Sequence, residues 1–426
     1  MEEIKIINLG GILLMKRSIS IILAIGLLLM TVTGCTSKET LSQGVTDEVV
    51  KVGNTAATSG AFAAVGVPFN AGIEAYFKMV NDAGGIDGRK IEFIHYDDEF
   101  DPTKAIAFTE QLINDDKVFA IVGHFGTPTI GATLDLLKET GIPTVYFAAG
   151  IAELYNEDAT SVENGKGLFP VQPIYVTEGR LIVARAVEEH GAKKIGVIYT
   201  NDDAGKDLLS GVENQVEKLG GDYTVVKEQI NPGATDVSSA VLKMKNEDVD
   251  VIVAASIQAT LPTIIKGLIS QGVAKPVFTT YSNADATTIA NFAQDYATAA
   301  NKFPIYSNAW VDLSDPEEVN AFVEGMTNFG QPDYAGNAFA MAGWIAGHFM
   351  AEGLRRVEGK PLNWENFMAA MEEAEFKIPM GGTINYADGK RLGTQSMSLL
   401  KISDDGTMWE TFRPVEDLND IIERVK

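Results

Sequence analysis

Over residues 49–280 the chain alternates between two hydrophobic rhythms. Short, nearly continuous apolar runs (VVKVGNT at 49–55, IEFIHY at 91–96, FAIV at 119–122, PTVYF at 143–147) have the length and β-branched content of buried strands. Between them lie longer stretches whose apolar residues recur at helical spacing, as Ile73, Phe77 and Val80 do in the first. AGGIDGRK at 83–90 stops that helix with glycines and turns the chain back into a strand. In DDEFDPTKA at 97–105, Asp101 is placed to cap a helix and Pro102 to occupy its first turn. Strict alternation of strand and helix predicts parallel strands joined by right-handed crossovers.

The same order repeats after QPIYVTEGR. Helices predicted at 177–190, 205–219, 236–246 and 261–271 alternate with the strands KIGVIY, YTVVKE, VDVIVAA and PVFTT. From Phe303 the rhythm changes to one strand (FPIYS), helices at 316–329, 336–357 and 363–373, and short β-like segments with Asp-Gly turns at Asp388 and Asp405. Two α/β halves of similar order predict two lobes with a site between them. The ending reads as chain that returns to complete both, with crossings near Gln172, Ser307 and Pro379 that would form a three-strand hinge.

The stretch 118–150 stands at the centre of this pattern: strand, Gly/Thr-rich turn, helix, strand. Both strands deliver their carboxyl ends to one edge of a parallel sheet, where open α/β sheets bind ligands. Thr127 and Thr129 fall at the mouth of the helix, where hydroxyls and free N–H groups can hold a carboxylate. This turn is expected to form half of a small-molecule site.

Composition places the whole among globular chains with a sizeable core, since 46% of 426 residues are hydrophobic. The formal charge of −24 argues against a nucleic-acid partner, because nothing here would replace the counterions around phosphates. The N-terminus has a different character. Lys16 and Arg17 precede an apolar run at 19–30 that is short for a membrane span and ends in Val32, Thr33, Gly34 and Cys35. That layout predicts an export signal over residues 1–34, with Met15 as an alternative true start. Cys35 is the single cysteine of the chain, so no internal disulfide can form. Residues 35–48 are polar and are expected to be a flexible tether ahead of a fold beginning at Val49.

No nucleotide, metal or nucleophile signature emerges. DDAGKD at 202–207 lacks the upstream glycine and the Ser/Thr after Lys206 that a phosphate loop requires. Asp97, Asp98, Glu99 and Asp101 resemble a calcium loop, but Pro102 and Phe108 stand where that loop needs Gly and Glu. His95, His124, His190 and His348 are far apart without ligand spacing. The expectation is a binding protein without metal, cofactor or catalytic residues, and not an enzyme.

Several stretches, in this order and spacing, resemble the type I solute-binding proteins of ABC importers, in the Leu/Ile/Val-binding branch. They are TSGAFAAVG, NDAGGIDGRKIE, YDDEFDP, VGHFGTPTIGAT, GIPTVYFAAG and KKIGVIYTNDDAGKDLLSG. VTGC likewise resembles the lipobox of bacterial lipoproteins, which implies lipidation at Cys35 and a membrane anchor. The resemblance implies a type I periplasmic-binding-protein fold of α/β class, with two Rossmann-like lobes and a three-strand hinge. Lobe I would comprise 49–173 plus 308–378, and lobe II 174–307 plus 379–426.

The implied function is that of an extracytoplasmic, lipid-anchored monomer that closes on a small amino acid, amide or organic carboxylate (aromatic ones included) and delivers it to membrane permease subunits. The alternative is a ligand-sensing receptor that uses the same fold with a separate signalling partner. By resemblance Thr127 supplies a hydroxyl, and Ala148 and Gly150 supply backbone groups, Gly150 standing where amino-acid binders carry Thr or Ser. Ala204 replaces their aromatic residue, and Tyr281 and Ser282 fall where their ammonium-holding carboxylate stands, with Asp285 nearby. Tyr175 or Gln172 would face the cleft near the hinge, and Phe62 and Phe125 would line an apolar pocket.

Overall fold

The first apolar run forms strand β1 (Val49–Ala56), followed by helix α1 (Ala63–Asp82), β2 (Lys90–Asp97), α2 (Pro102–Asn114), β3 (Ala120–Phe125), α3 (Thr127–Thr140), β4 (Thr144–Ala148) and a short β5 (Leu168–Phe169). This is a computed structural model that describes residues 40–258 and 260–425. The expected export segment and Cys35 lie outside the described residues. Asp101 caps α2 as its position predicted, its carboxylate accepting the N–H groups of Thr103 and Lys104. The five strands form one parallel sheet in the order β2-β1-β3-β4-β5. Because β1 is flanked by β2 on one side and β3 on the other, the crossovers leave in opposite directions there, and a crevice opens at the carboxyl ends of β1 and β3.

The second half repeats this topology. Helix α4 (Tyr175–His190) leads into β6 (Lys194–Thr200), α5 (Asp203–Leu219), β7 (Thr224–Ile230), α6 (Ser238–Asn246), β8 (Val251–Ala255), α7 (Thr260–Ser270), β9 (Val277–Thr279) and, after two one-turn helices, β10 (Ile305–Ala309). Strands β7-β6-β8-β9-β10 are parallel and carry the same order as the first sheet. Helices α8 (Pro316–Phe329), α9 (Ala338–Arg356) and α10 (Trp364–Glu373) follow, then the pair β11 (Phe376–Lys377) and β12 (Thr383–Ile384). An antiparallel hairpin, β13 (Ser396–Ile402) and β14 (Trp409–Asp417), adds to β10 at the edge of the second sheet. Its turn uses Gly406 at a φ of 77° beside Asp405, as expected of an Asp-Gly pair, whereas Asp388–Gly389 lies in a single 3-10 turn.

Two expectations change. Residues 42–48 are docked rather than free. Ser42 N–H donates to Leu362 O, Gln43 Nε2 donates to Ile113 O and Val118 O, and Val45 bridges to Val50. Backbone groups of this polar segment find carbonyl partners on the fold, which a free tether would leave to water. The last crossing also comes later than Pro379. Tyr386 donates to Pro170 O and packs edge-on against Phe169, while Arg391 donates to Lys166 O and lies over the Phe169 ring. The chain therefore stays with the first sheet until Thr394 N–H donates to Val171 O, and enters the second sheet at Ser396. At that point the third connection lies directly beside the first.

Helix contacts in both lobes rest on glycine. A Cβ on Gly72 of α1 would stand 2.0 Å from Ala340 O of α9, and one on Gly343 would stand 1.8 Å from Phe69 O. In the second lobe, Gly179 of α4 and Gly211 of α5 bring those helices together in the same way. The backbones touch where any side chain would wedge them apart. Replacing Gly343 by Ala should therefore destabilise the fold by about 1–3 kcal/mol or more through overpacking. Urea unfolding of the variant checks this, and an unchanged midpoint would contradict the contact.

Candidate functional site

The carboxyl edges of the two sheets meet at a cavity of about 640 Å³. Each strand of the first sheet contributes through the loop that follows it: Phe62 after β1, Phe100 after β2, Thr127 after β3, Ala148 at the end of β4 and Gln172 after β5. From the second sheet come Gln258 after β8, Tyr281 and Ser282 after β9, and Trp310 after β10. The start of α9 adds Phe339 and Met341.

Aromatic rings line one side of the cavity in a connected chain. Phe62 and Phe100 stack with centroids 3.8 Å apart, and Phe100 meets Phe125 edge-on at 6.3 Å. Phe125 contacts Phe69 at 5.7 Å, Phe69 contacts Tyr146 at 5.8 Å, and Tyr146 lies 6.4 Å from Trp310. The acidic stretch after β2, which imitated a calcium loop in the sequence, serves this wall. Asp97 Oδ1 accepts the Glu99 and Thr58 N–H groups, and Asp98 Oδ1 accepts that of Phe100. These bonds hold Glu99 and Phe100 at φ values of 52° and 65°, a left-handed turn that L residues seldom adopt. The strain aims the Phe100 ring at Phe62. Burial lifts the Asp98 carboxyl to about 6 despite its hydrogen bonds.

The polar groups gather on the side toward the hinge. Gln172 Nε2 donates to Tyr146 Oη at 2.8 Å, and its Oε1 accepts from Tyr281 Oη at 3.2 Å. Tyr175 and Tyr281 stack at 5.8 Å, and the Tyr175 hydroxyl lies 3.2 Å from Ser282 Oγ. Behind them Glu178 is fully buried. It accepts from Thr280 Oγ1 at 2.6 Å, Tyr281 N–H at 2.7 Å and Asn308 Nδ2 at 3.0 Å. One carboxylate thus ties α4 to the loop after β9 and to the β10 end that leads into the hinge. Among the described residues, no group of three or more His, Cys, Asp or Glu side chains could hold a metal, and no helix is long and apolar enough to cross a membrane.

Phe62, Phe125, Thr127, Ala148, Tyr175, Tyr281 and Ser282 all line the cavity, as do Gln172 and Asp285. Thr129 does not. It sits in the first turn of α3, and its hydroxyl turns back to the Phe125 and Gly126 carbonyls, the usual local partner for a helical threonine. Nor does Gly150. A Cβ there would stand 2.2 Å from Pro173 O and 3.0 Å from the Tyr281 hydroxyl, so the hinge and a tyrosine fill the space of the missing side chain. Ala204 is buried on α5 outside the cavity. Phe69, Phe100, Trp310, Phe339 and Met341 were not singled out from the sequence. Only Phe100 had a local signal, the aspartates that bracket it.

Residues 49–407 match the family model described as periplasmic binding protein, and the chain belongs to that family. A relative from Pseudomonas aeruginosa named "Amino acid binding protein" is 27% identical over 225 residues, 53% of this chain and 58% of that one. This chain thus spans little more than half the length of that curated relative. Among solved structures, a fatty acid ABC transporter substrate-binding protein from Thermomonospora curvata superposes with a TM-score of 0.75 at 19% identity, covering 90% of this chain and 96% of that one. A solute-binding protein of an ABC transporter from R. palustris, in complex with benzoate, gives 0.70 at 23% identity, with 87% and 98% covered. These likenesses show the type I periplasmic-binding-protein fold.

Desolvation raises the Glu178 carboxyl to about 7, while its partners Thr280, Asn308 and the Tyr281 N–H pull it down. An unperturbed glutamate titrates near 4.5. Between those values the folded chain keeps a proton that the unfolded chain has released, so this group's contribution to stability declines as pH rises from about 4.5 to about 7. Glu178→Gln removes the titration. The stability difference between wild type and variant should therefore move in favour of the wild type as pH falls through that window. Melting curves at a series of pH values check this, and a constant difference would refute it.

Proposed function

We propose that this protein is an extracytoplasmic solute receptor of an ABC importer. It binds a small organic solute between its lobes and hands it to membrane permease subunits. The observation that carries this reading is the ring-walled cavity of about 640 Å³ where the carboxyl edges of two sheets of identical strand order face each other. Its size and its few convergent polar groups suit a small-molecule site. The printed names of relatives and neighbours, which mention amino acids, a fatty acid and benzoate, support the same class of ligand. The protein acts as a binder and not as an enzyme. It works as a monomer held to the membrane by lipid on Cys35. Its first lobe comprises 42–172 with 310–394, and its second 173–309 with 395–425.

Closure needs contacts that exist only when the lobes meet, because a ligand shifts an equilibrium only by its differential affinity. Asp207 of α5 accepts the Ala152 N–H, on the loop after β4, at 2.7 Å, and burial lifts its carboxyl to about 6. Tyr281 bonded to Gln172 is a second such contact, this one within the cavity.

A thermal-shift screen of the purified protein against amino acids, aromatic acids and short amides tests the receptor reading. A true ligand at one hundred times its Kd adds about 2.7 kcal/mol of stability. A screen without any shift would overturn the proposal. Thr127→Ala should weaken the ligand found by about 1–3 kcal/mol, read by calorimetry. Cys35→Ser should release the protein from the membrane fraction, and retention there would exclude the anchor.

A further inference from the structure

The charges around the cavity are all of one sign. Asp285 and Asp312 line it, Glu178 lies behind the Tyr175–Tyr281 stack, and no Lys, Arg or His is among the described lining residues. Asp285 is 7% exposed, and its carboxylate accepts the N–H and hydroxyl of Thr288 at the start of a one-turn helix and also meets the N–H and hydroxyl of Thr287, all neutral donors. Asp312 Oδ1 accepts the Ser314 N–H. Glu178 has three donors, all of them neutral. Among the described residues none of the three carboxylates has a cationic partner. A carboxylate taken out of water is costly without an opposite charge, and burial duly raises the Asp285 carboxyl.

The means of holding an anion are correspondingly thin. At the mouth of α3, Pro128 has no N–H, and the Thr129 hydroxyl is spent on backbone carbonyls. The place of a second hydroxyl, at Gly150, is filled by Pro173 and Tyr281. Thr127, 4% exposed, already meets the Tyr175 hydroxyl, and the donors left on the wall, among them Ser282, Gln258 and the unpaired indole N–H of Trp409, are all neutral. Phe62, Phe69, Phe100, Phe125, Trp310 and Phe339 share the rest of the wall with aliphatic side chains, and an aromatic face attracts a cation through its quadrupole where it repels an anion.

We infer that the solute recognised here is an organic cation: an amine with an apolar body of aromatic size and no free carboxylate, its ammonium beside Asp285 and its body against the rings of Phe62, Phe100 and Phe125. This rests on the receptor reading above and narrows it. The two carboxylates that line the cavity supply the counter-charge, and the ring faces complete the cation's surroundings. A carboxylate on the same body would meet Asp285 and Asp312 with no base to offset them.

Calorimetry with four compounds of one skeleton tests this: phenethylamine, L-phenylalaninamide, 3-phenylpropanamide and 3-phenylpropionate. The two amines should bind at least tenfold more tightly than the propionate, with the uncharged amide between them. Asp285→Asn keeps the helix cap, because Asn accepts the same N–H. It should weaken phenethylamine about tenfold and leave 3-phenylpropanamide unchanged. Propionate binding as tightly as phenethylamine, or equal losses for amine and amide in the variant, would overturn the charge assignment alone. If a solute of another skeleton binds instead, the same comparison between its amine and acid forms decides the matter. Binding by no solute at all overturns the receptor reading and this inference with it.

Discussion

Every loop that follows a strand in a parallel sheet leaves from the same edge, and the rest of this structure depends on that constraint. Both sheets obey it at their centres and carry one strand order, so each presents a crevice at its carboxyl edge. Three connections lie between the sheets, and the first and third touch, Thr394 bonding to Val171. Ser398 Oγ of β13 bonds to Ala309 O, at the start of the second connection. The two edges must therefore face one another. A cavity walled by residues from nearly every loop follows from topology before any side chain is chosen.

Side chains then decide what that cavity is. Its rings are held by acids. Asp97 and Asp98 fold the turn that aims Phe100, and Glu178 fixes the loop that carries Tyr281. Placing carboxylates behind an apolar wall satisfies N–H groups that turns leave unpaired, at the cost of desolvating the acids, which raises Asp98 and Glu178. Asp285 and Asp312, by contrast, line the cavity itself.

The polar contacts across the cleft are few and specific. Gln172, on the first connection, joins Tyr146 of the first sheet to Tyr281 beyond the second. Asp207 reaches Ala152 from the start of α5. Both contacts are hydrogen bonds between partners from opposite lobes, so opening the cleft would break them together. The glycine-lined helix crossings within each lobe, at Gly72 and Gly343 and at Gly179 and Gly211, pack the helices of each lobe backbone to backbone.

The alternation of strand and helix was legible from periodicity, and so was the cap at Asp101, because both are local properties of a few neighbouring residues. The sequence alone also determined the family resemblance and the placing of Thr127, Phe62 and Phe125 at a sheet edge. Which residues face the cavity was a different matter. Thr129 is one helical position from Pro128 and shares the mouth with Thr127, yet its hydroxyl bonds inward. Gly150 lost its role to a tyrosine more than a hundred positions away in the chain, just as Gln172 meets Tyr281 across 109 positions. Trp310, Phe339 and Met341 reach the wall only because the chain returns to the first lobe, and the docking of residues 42–48 depends on Leu362 in the same way. Periodicity is set by neighbours three or four residues apart, whereas the cavity's walls, its unbroken acidic field and the late third crossing are set by contacts that only the folded chain brings together.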